Sequence, residues 1–82
     1  MTPDRQTLLR HLSDDLRRSC DELLQDPSPD APFSELKVDS LSLAEFVARV
    51  EQRFRVAIPD EEWRALGSLN QVADWLEPRL PR

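Results

Sequence analysis

Asp39-Ser40-Leu41 puts one hydroxyl where a proline-rich stretch gives way to an amphipathic run, and a hydroxyl at an exposed helix start can serve as a nucleophile or as a point of covalent attachment. A serine nucleophile needs a base within hydrogen-bond reach. Nothing near Ser40 in sequence is fitted to be that base, and the single histidine, His11, lies far upstream. Attachment is therefore the better reading, beside the plain alternative that Asp39 and Ser40 merely start a helix, where both residue types are common. Other chemistry is scarce. The single glycine, Gly67, removes the Gly-rich phosphate loops of nucleotide-binding proteins. His11 has no second His, Cys or carboxylate at a metal-ligand spacing, so no metal site is expected. Cys20 falls on an apolar stripe and reads as a small buried hydrophobe with a free thiol. The Asp14-Asp15 and Asp21-Glu22 pairs read as solvated faces.

At 82 residues the chain is expected to form a single domain, residues 1–82, near the size at which one hydrophobic core only just suffices. So small a domain has no room for a deep active site, and the expectation is a protein that is not an enzyme. One cysteine rules out an internal disulfide. Without an apolar N-terminal stretch for a signal peptide or membrane span, the expected compartment is the cytoplasm, with no membrane partner. The net charge of -5, from 16 acidic against 11 basic residues, disfavours nucleic acid and favours a basic protein surface as partner.

The elements that would position Ser40 follow from apolar spacing. Thr2 and Pro3 suit the cap and first position of a helix, with Asp4 in the first turn; Leu9, Leu12, Leu16, Cys20 and Leu23 then recur at steps of three and four, with His11 on another face. The prolines at 27, 29 and 32 force a loop, and Phe33 and Leu36 are its expected anchors. Asp39 can cap a second helix whose core face is Leu43, Phe46, Val47, Val50 and Phe54. Leu41, Ala44 and Ala48 project to the opposite side, among Glu45, Arg49 and Gln52. Ile58-Pro59-Asp60 reads as a turn into a short third helix capped by Asp60 and closed by Gly67, with Trp63 and Leu66 inward. Ser68, with Gln71 at capping-box spacing, starts a last helix with Leu69, Val72, Trp75 and Leu76 buried, and Pro78 and Pro81 end it. No run alternates at period two. The class is all-α, a four-helix bundle of three longer helices plus one short helix.

The run Phe33-Ser34-Glu35-Leu36-Lys37-Val38-Asp39-Ser40-Leu41, followed by Glu45, Phe46, Val47, Val50, Glu51 and Phe54, then Ile58-Pro59-Asp60-Glu61-Glu62 and Ser68 to Leu76, resembles the acyl carrier protein family. The resemblance implies an acyl-carrier-like bundle in which Ser40 bears a covalent 4′-phosphopantetheine from coenzyme A, installed by a phosphopantetheinyl transferase. It also implies that acyl groups are held on that arm as thioesters. Its further partners would be an acyl-loading ligase or acyltransferase and synthase enzymes, and the carrier would be a monomer. Family usage of the second helix implies a docking strip of Asp39, Leu41, Ala44, Glu45, Ala48 and Glu51. Leu43, Val47, Ile58, Trp63 and Leu66 become candidates for the walls of an acyl pocket.

Several positions depart from the family pattern. Lys37 stands where glycine is common, and Arg49, Gln52, Arg53 and Arg55 make the second helix less acidic than in fatty-acid carriers. These departures point toward polyketide, specialised fatty-acid or other secondary-metabolite assembly. Lys37-Val38 replaces the Gly-Gly more usual in peptidyl carriers, which favours acyl over aminoacyl cargo, although an aminoacyl or peptidyl carrier is chemically identical at Ser40. The rival of another class is an unmodified helical adaptor that binds one partner through Leu41, Ala44 and Ala48. Beginning at Met1 and ending soon after the last helix, the chain is expected to be a discrete protein.

Overall fold

A computed structural model describes residues 4–20 and 27–80 as four α-helices and a terminal 3-10 turn, with no strand among them. The first helix, α1 (Arg5–Ser19), is capped by Asp4, whose carboxylate accepts the Thr7 amide at 2.7 Å. The cap is thus Asp4 and not Thr2, because Asp4 holds the extended backbone that a cap needs. Thr2 and Pro3 lie outside the described residues. At the other end Cys20 is already extended and its amide turns back to the Arg17 carbonyl, so α1 stops before the predicted limit. Leu23, Asp21, Glu22 and Pro81 also lie outside the described residues.

The buried stripe of α1 and its end is Leu8, Leu12, Leu16 and Cys20: the expected Leu12, Leu16 and Cys20 hold, while Leu8 takes the place of Leu9, which is only half-buried. The exchange of Leu9 for Leu8 widens the buried face on the side that it shares with Asp15. Its edge carries Asp15 into the interface with the second helix, α2 (Ser40–Phe54). Asp15 is buried, contrary to the expected solvated face. Arg53 of α2 grips its two oxygens, Nε to one and Nη2 to the other, both at 2.8 Å. These hydrogen bonds hold the Arg53 guanidinium above its ordinary pKa. His11, expected to be a free surface residue, is half-buried against Phe54, with ring centroids 6.4 Å apart.

The third helix, α3 (Asp60–Trp63), is a single turn. Pro59 stands at its cap without a side-chain hydrogen bond, so Asp60 is the first helical residue and not the cap; its carboxylate accepts the Trp63 indole N–H at 3.1 Å instead. Gly67 does not close α3 with left-handed backbone. Its amide donates to Gln71 Oε1 and its carbonyl accepts the Phe33 amide. The fourth helix, α4 (Leu69–Leu76), is capped by the Ser68 hydroxyl, which accepts the Gln71 amide at 3.3 Å. Leu69, Val72, Ala73 and Leu76 are its buried face, and Trp75 is half-buried with Arg79 stacked 3.9 Å from its ring centre. Pro78 does not terminate the helical path outright: it sits inside the 3-10 turn Glu77–Arg79, which carries Leu80 back into the core.

α1 packs against both α2 and α4, and Arg5 fastens the start of α1 to the end of α4. Its guanidinium pairs with Asp74 at 2.9 Å and with Glu77, and also donates to Asn70. Between these helices the core holds Phe46, Val50, Leu8, Leu12, Leu16, Leu69 and Leu76. Each such side chain contributes about 1.5–3 kcal/mol by leaving water. Phe33 meets Phe46 edge-on, with centroids 6.0 Å apart, and so anchors the long loop as expected; Leu36 is half-buried beside it. The Phe33 amide bonds Gly67 and the Asn70 amide bonds the Pro29 carbonyl at 3.0 Å, so the loop is tied to the start of α4.

Candidate functional site

α2 begins at Ser40 because Asp39 ends the loop in extended backbone and accepts the Ser42 amide at 2.7 Å. This hydrogen bond holds the Asp39 carboxyl below the ordinary aspartate value. The turn before it is tight. Val38 returns its amide to the Phe33 carbonyl at 3.3 Å, and the turn closes through Lys37 at φ 58°, the left-handed region that glycine occupies without strain. Ser40 is exposed, and its hydroxyl bonds no described residue. The positive end of the α2 dipole lies beneath it.

Beside Ser40 runs a surface groove of about 610 Å³ lined by Ser40, Leu41, Leu43, Ala44, Trp63 and Arg64. None of these residues is a base fitted to take the serine proton near neutral pH. Among the described residues no three His, Cys, Asp or Glu side chains are grouped to hold a metal ion. No described helix is long and apolar enough to cross a membrane.

Leu43, Val47, Ile58, Trp63 and Leu66 come together around one interior cavity, which Phe33, Phe46, Val50 and Val72 complete. Its volume is about 10 Å³. That is the room a single water needs, so the walls are in contact and no acyl chain fits between them as they stand. Leu43 and Trp63 line both the cavity and the outer groove, and form the partition between them.

On the outer face of α2, Leu41 is 71% exposed, and Ala44, Glu45 and Ala48 are exposed below it. Glu51 departs from this strip. Its carboxylate accepts the Ile58 amide at 2.9 Å and holds the segment after α2, where Arg55 has turned the chain at φ 56°. The lower half of α2 is basic. Arg53 is bound to Asp15, while Arg49 and Arg55 are exposed and pair with no described residue.

Arg64 is the groove residue that sequence reasoning missed. It follows Trp63 at the end of a one-turn helix, and no periodicity links it to Ser40. Only the docking of α3 beside the start of α2 puts both side chains in one groove.

A covalent phosphodiester arm fits the site. The hydroxyl is exposed and unengaged, an open groove adjoins it, and the helix dipole and Arg64 offer positive charge. The Asp39 carboxylate at the cap of α2 opposes it. The family model described as "Phosphopantetheine attachment site" matches residues 6–76. An "Acyl carrier protein" of Thermosynechococcus vestitus is 38% identical over 64 residues, covering 73% of this chain and 79% of that protein. One of Streptomyces coelicolor is 34% identical over 74 residues, covering 88% and 80%. One of Rubrobacter xylanophilus is 32% identical over 77 residues, covering 89% and 91%.

Proposed function

The chain belongs to the acyl carrier protein family, whose prosthetic group is a covalently attached 4′-phosphopantetheine, and we propose that Ser40 is the attachment point. The chain is accordingly a carrier and not a catalyst. The single observation that carries the assignment is the exposed hydroxyl at the start of α2, which bonds no described residue and opens onto a groove whose described lining holds no base. When bound, the group supplies a terminal thiol that carries an acyl chain as a thioester. The chain's own part is to present the hydroxyl, to keep the first turn of α2 in place through the Asp39 cap, and to offer positive charge to a phosphodiester.

In this reading Leu41, Ala44, Glu45 and Ala48, with Asp39 at their head, dock the phosphopantetheinyl transferase, the acyl-loading enzyme and the synthase enzymes in turn. An exposed apolar anchor with a few exposed charges gives brief, salt-sensitive contact, because each exposed ion pair contributes only about 0.2–1 kcal/mol. Glu51 is set apart from the strip because its carboxylate holds the Ile58 amide. The unpaired Arg49 and Arg55 on the lower half of α2 support service in polyketide or another specialised assembly, with partner surfaces less basic there than a uniformly acidic helix would need.

The test is intact-mass measurement after incubation with coenzyme A, Mg²⁺ and a broad-specificity phosphopantetheinyl transferase. Wild type should gain the mass of one phosphopantetheine. Ser40→Ala should gain none while keeping its helical circular dichroism, and loading of that variant would refute the assignment.

A further inference from the structure

Two cavities adjoin Leu43 and Trp63, and they differ in what they admit. The interior one has about 10 Å³ and a wholly apolar lining, whereas the outer groove has about 610 Å³ and contains both Ser40 and a guanidinium. The partition is held from two directions. The Trp63 indole N–H donates to Asp60 Oδ1 at 3.1 Å, and the Arg64 guanidinium lies over the indole ring at 5.6 Å from its centre. A cation is attracted to an aromatic face, which biases the arginine toward the groove wall. Arg64 forms no ion pair with any described residue, so its charge is available.

Resting on the assignment of Ser40, we infer that the arm and its acyl group lie in the outer groove and not in the interior, with Arg64 meeting an anionic oxygen group carried by the arm or by its cargo. The groove offers Leu41, Leu43, Ala44 and the Trp63 face to the apolar parts of an arm rooted at Ser40. Among the described residues Arg64 is the only charged side chain in its lining. This suits short, polar acyl groups, above all carboxyl-bearing ones, because a long alkyl chain would have to part Leu43 from Trp63 to leave water. The anion has two possible sources, the phosphodiester next to Ser40 or a carboxylate at the end of the cargo.

The indole N–H resonances of Trp63 and Trp75 separate these possibilities in ¹⁵N-labelled protein, because Trp75 lies outside the groove and serves as the internal reference. Protein with arms bearing only the thiol, a malonyl group or an acetoacetyl group is compared with unmodified protein, in wild type and in Arg64→Gln. The attached mass is confirmed in every sample. Loading should shift the Trp63 resonance and leave Trp75 in place, and Arg64→Gln should remove most of that shift. Loss of the shift already with the bare arm assigns the phosphodiester as the anion. Loss confined to the malonyl arm, with acetoacetyl unaffected, assigns the cargo carboxylate. Either contrast should shrink in high salt, since Arg64 is exposed. Fully loaded protein with an unmoved Trp63, or shifts indifferent to Arg64→Gln, would overturn this inference alone. Movement of Val47 and Val72 methyl signals on loading an octanoyl arm would overturn it too, since the chain would then be inside. A missing mass gain would overturn the Ser40 assignment and this inference together.

Discussion

Replacing Arg53 by methionine keeps the apolar stem, removes the guanidinium and tests what holds α1 to α2. The Asp15 side chain is 4% exposed and the Arg53 side chain 32%, and two hydrogen bonds of 2.8 Å join them. Unit charges about 4 Å apart attract by about 4 kcal/mol at an effective dielectric near 20, and the desolvation of Asp15 offsets much of that. The intact pair is therefore a modest net stabiliser, but its two halves are unequal when separated. Arg53→Met leaves the buried Asp15 carboxylate without its cation, at a cost of about 3 kcal/mol. Asp15→Asn leaves a guanidinium that can turn to solvent or donate to the amide oxygen, at a cost of about 1 kcal/mol. A chain of this length has a total stability on the order of 4–12 kcal/mol, so the first change is severe. With a urea slope of about 1 kcal/mol/M, the unfolding midpoint should fall by about 3 M for Arg53→Met and about 1 M for Asp15→Asn. Urea titrations at pH 7, followed by circular dichroism and tryptophan fluorescence, measure both. Because the contact is largely buried, the difference should survive added salt. Equal losses, or a larger loss for Asp15→Asn, would refute the claim that burial of the carboxylate sets the cost.

Lys37 adopts φ 58°, which costs a non-glycine residue about 1–2 kcal/mol. Against the extra unfolded-state entropy of glycine, Lys37→Gly should still gain about 0.5–1 kcal/mol and raise Tm by about 2–8 °C; a lower Tm would contradict it. Glu45→Lys should slow loading by the transferase at low salt without altering the helical signal, and unchanged kinetics would remove Glu45 from the docking strip. The amides of Thr7 and Ser42 hold the carboxyls of the caps Asp4 and Asp39 below the ordinary aspartate value. Their contribution is complete above the unfolded value and is lost as pH falls through the folded one. The Thr7 and Ser42 amide resonances should titrate with midpoints below the ordinary aspartate value, and Asp39→Ala should abolish the Ser42 titration alone.

Local rules made much of this protein legible before any coordinates. Prolines, cap residues and 3.6-residue spacing are properties of neighbours in sequence, so the start of α2 at Ser40, its Phe46-Val47-Val50 core face, the exposed Leu41-Ala44-Ala48 face and the Ser68 cap can be read from the residues alone. Long-range contacts decided the rest. Asp15 is buried because Arg53, far along the chain, meets it; Leu80 is buried because the 3-10 turn at Pro78 lets the chain continue into the core. Glu51 stands apart from the exposed Leu41-Ala44-Ala48 face because its carboxylate accepts the Ile58 amide. The five residues expected to wall an acyl pocket do converge, but the space between them depends on packing to within an ångström, which periodicity cannot specify. Arg64 reaches the Ser40 groove only through the placement of α3 beside α2. Sequence settles which faces are apolar and where helices begin, since those are short-range matters, and only the packed helices decide which buried charges find partners and which cavity stays open.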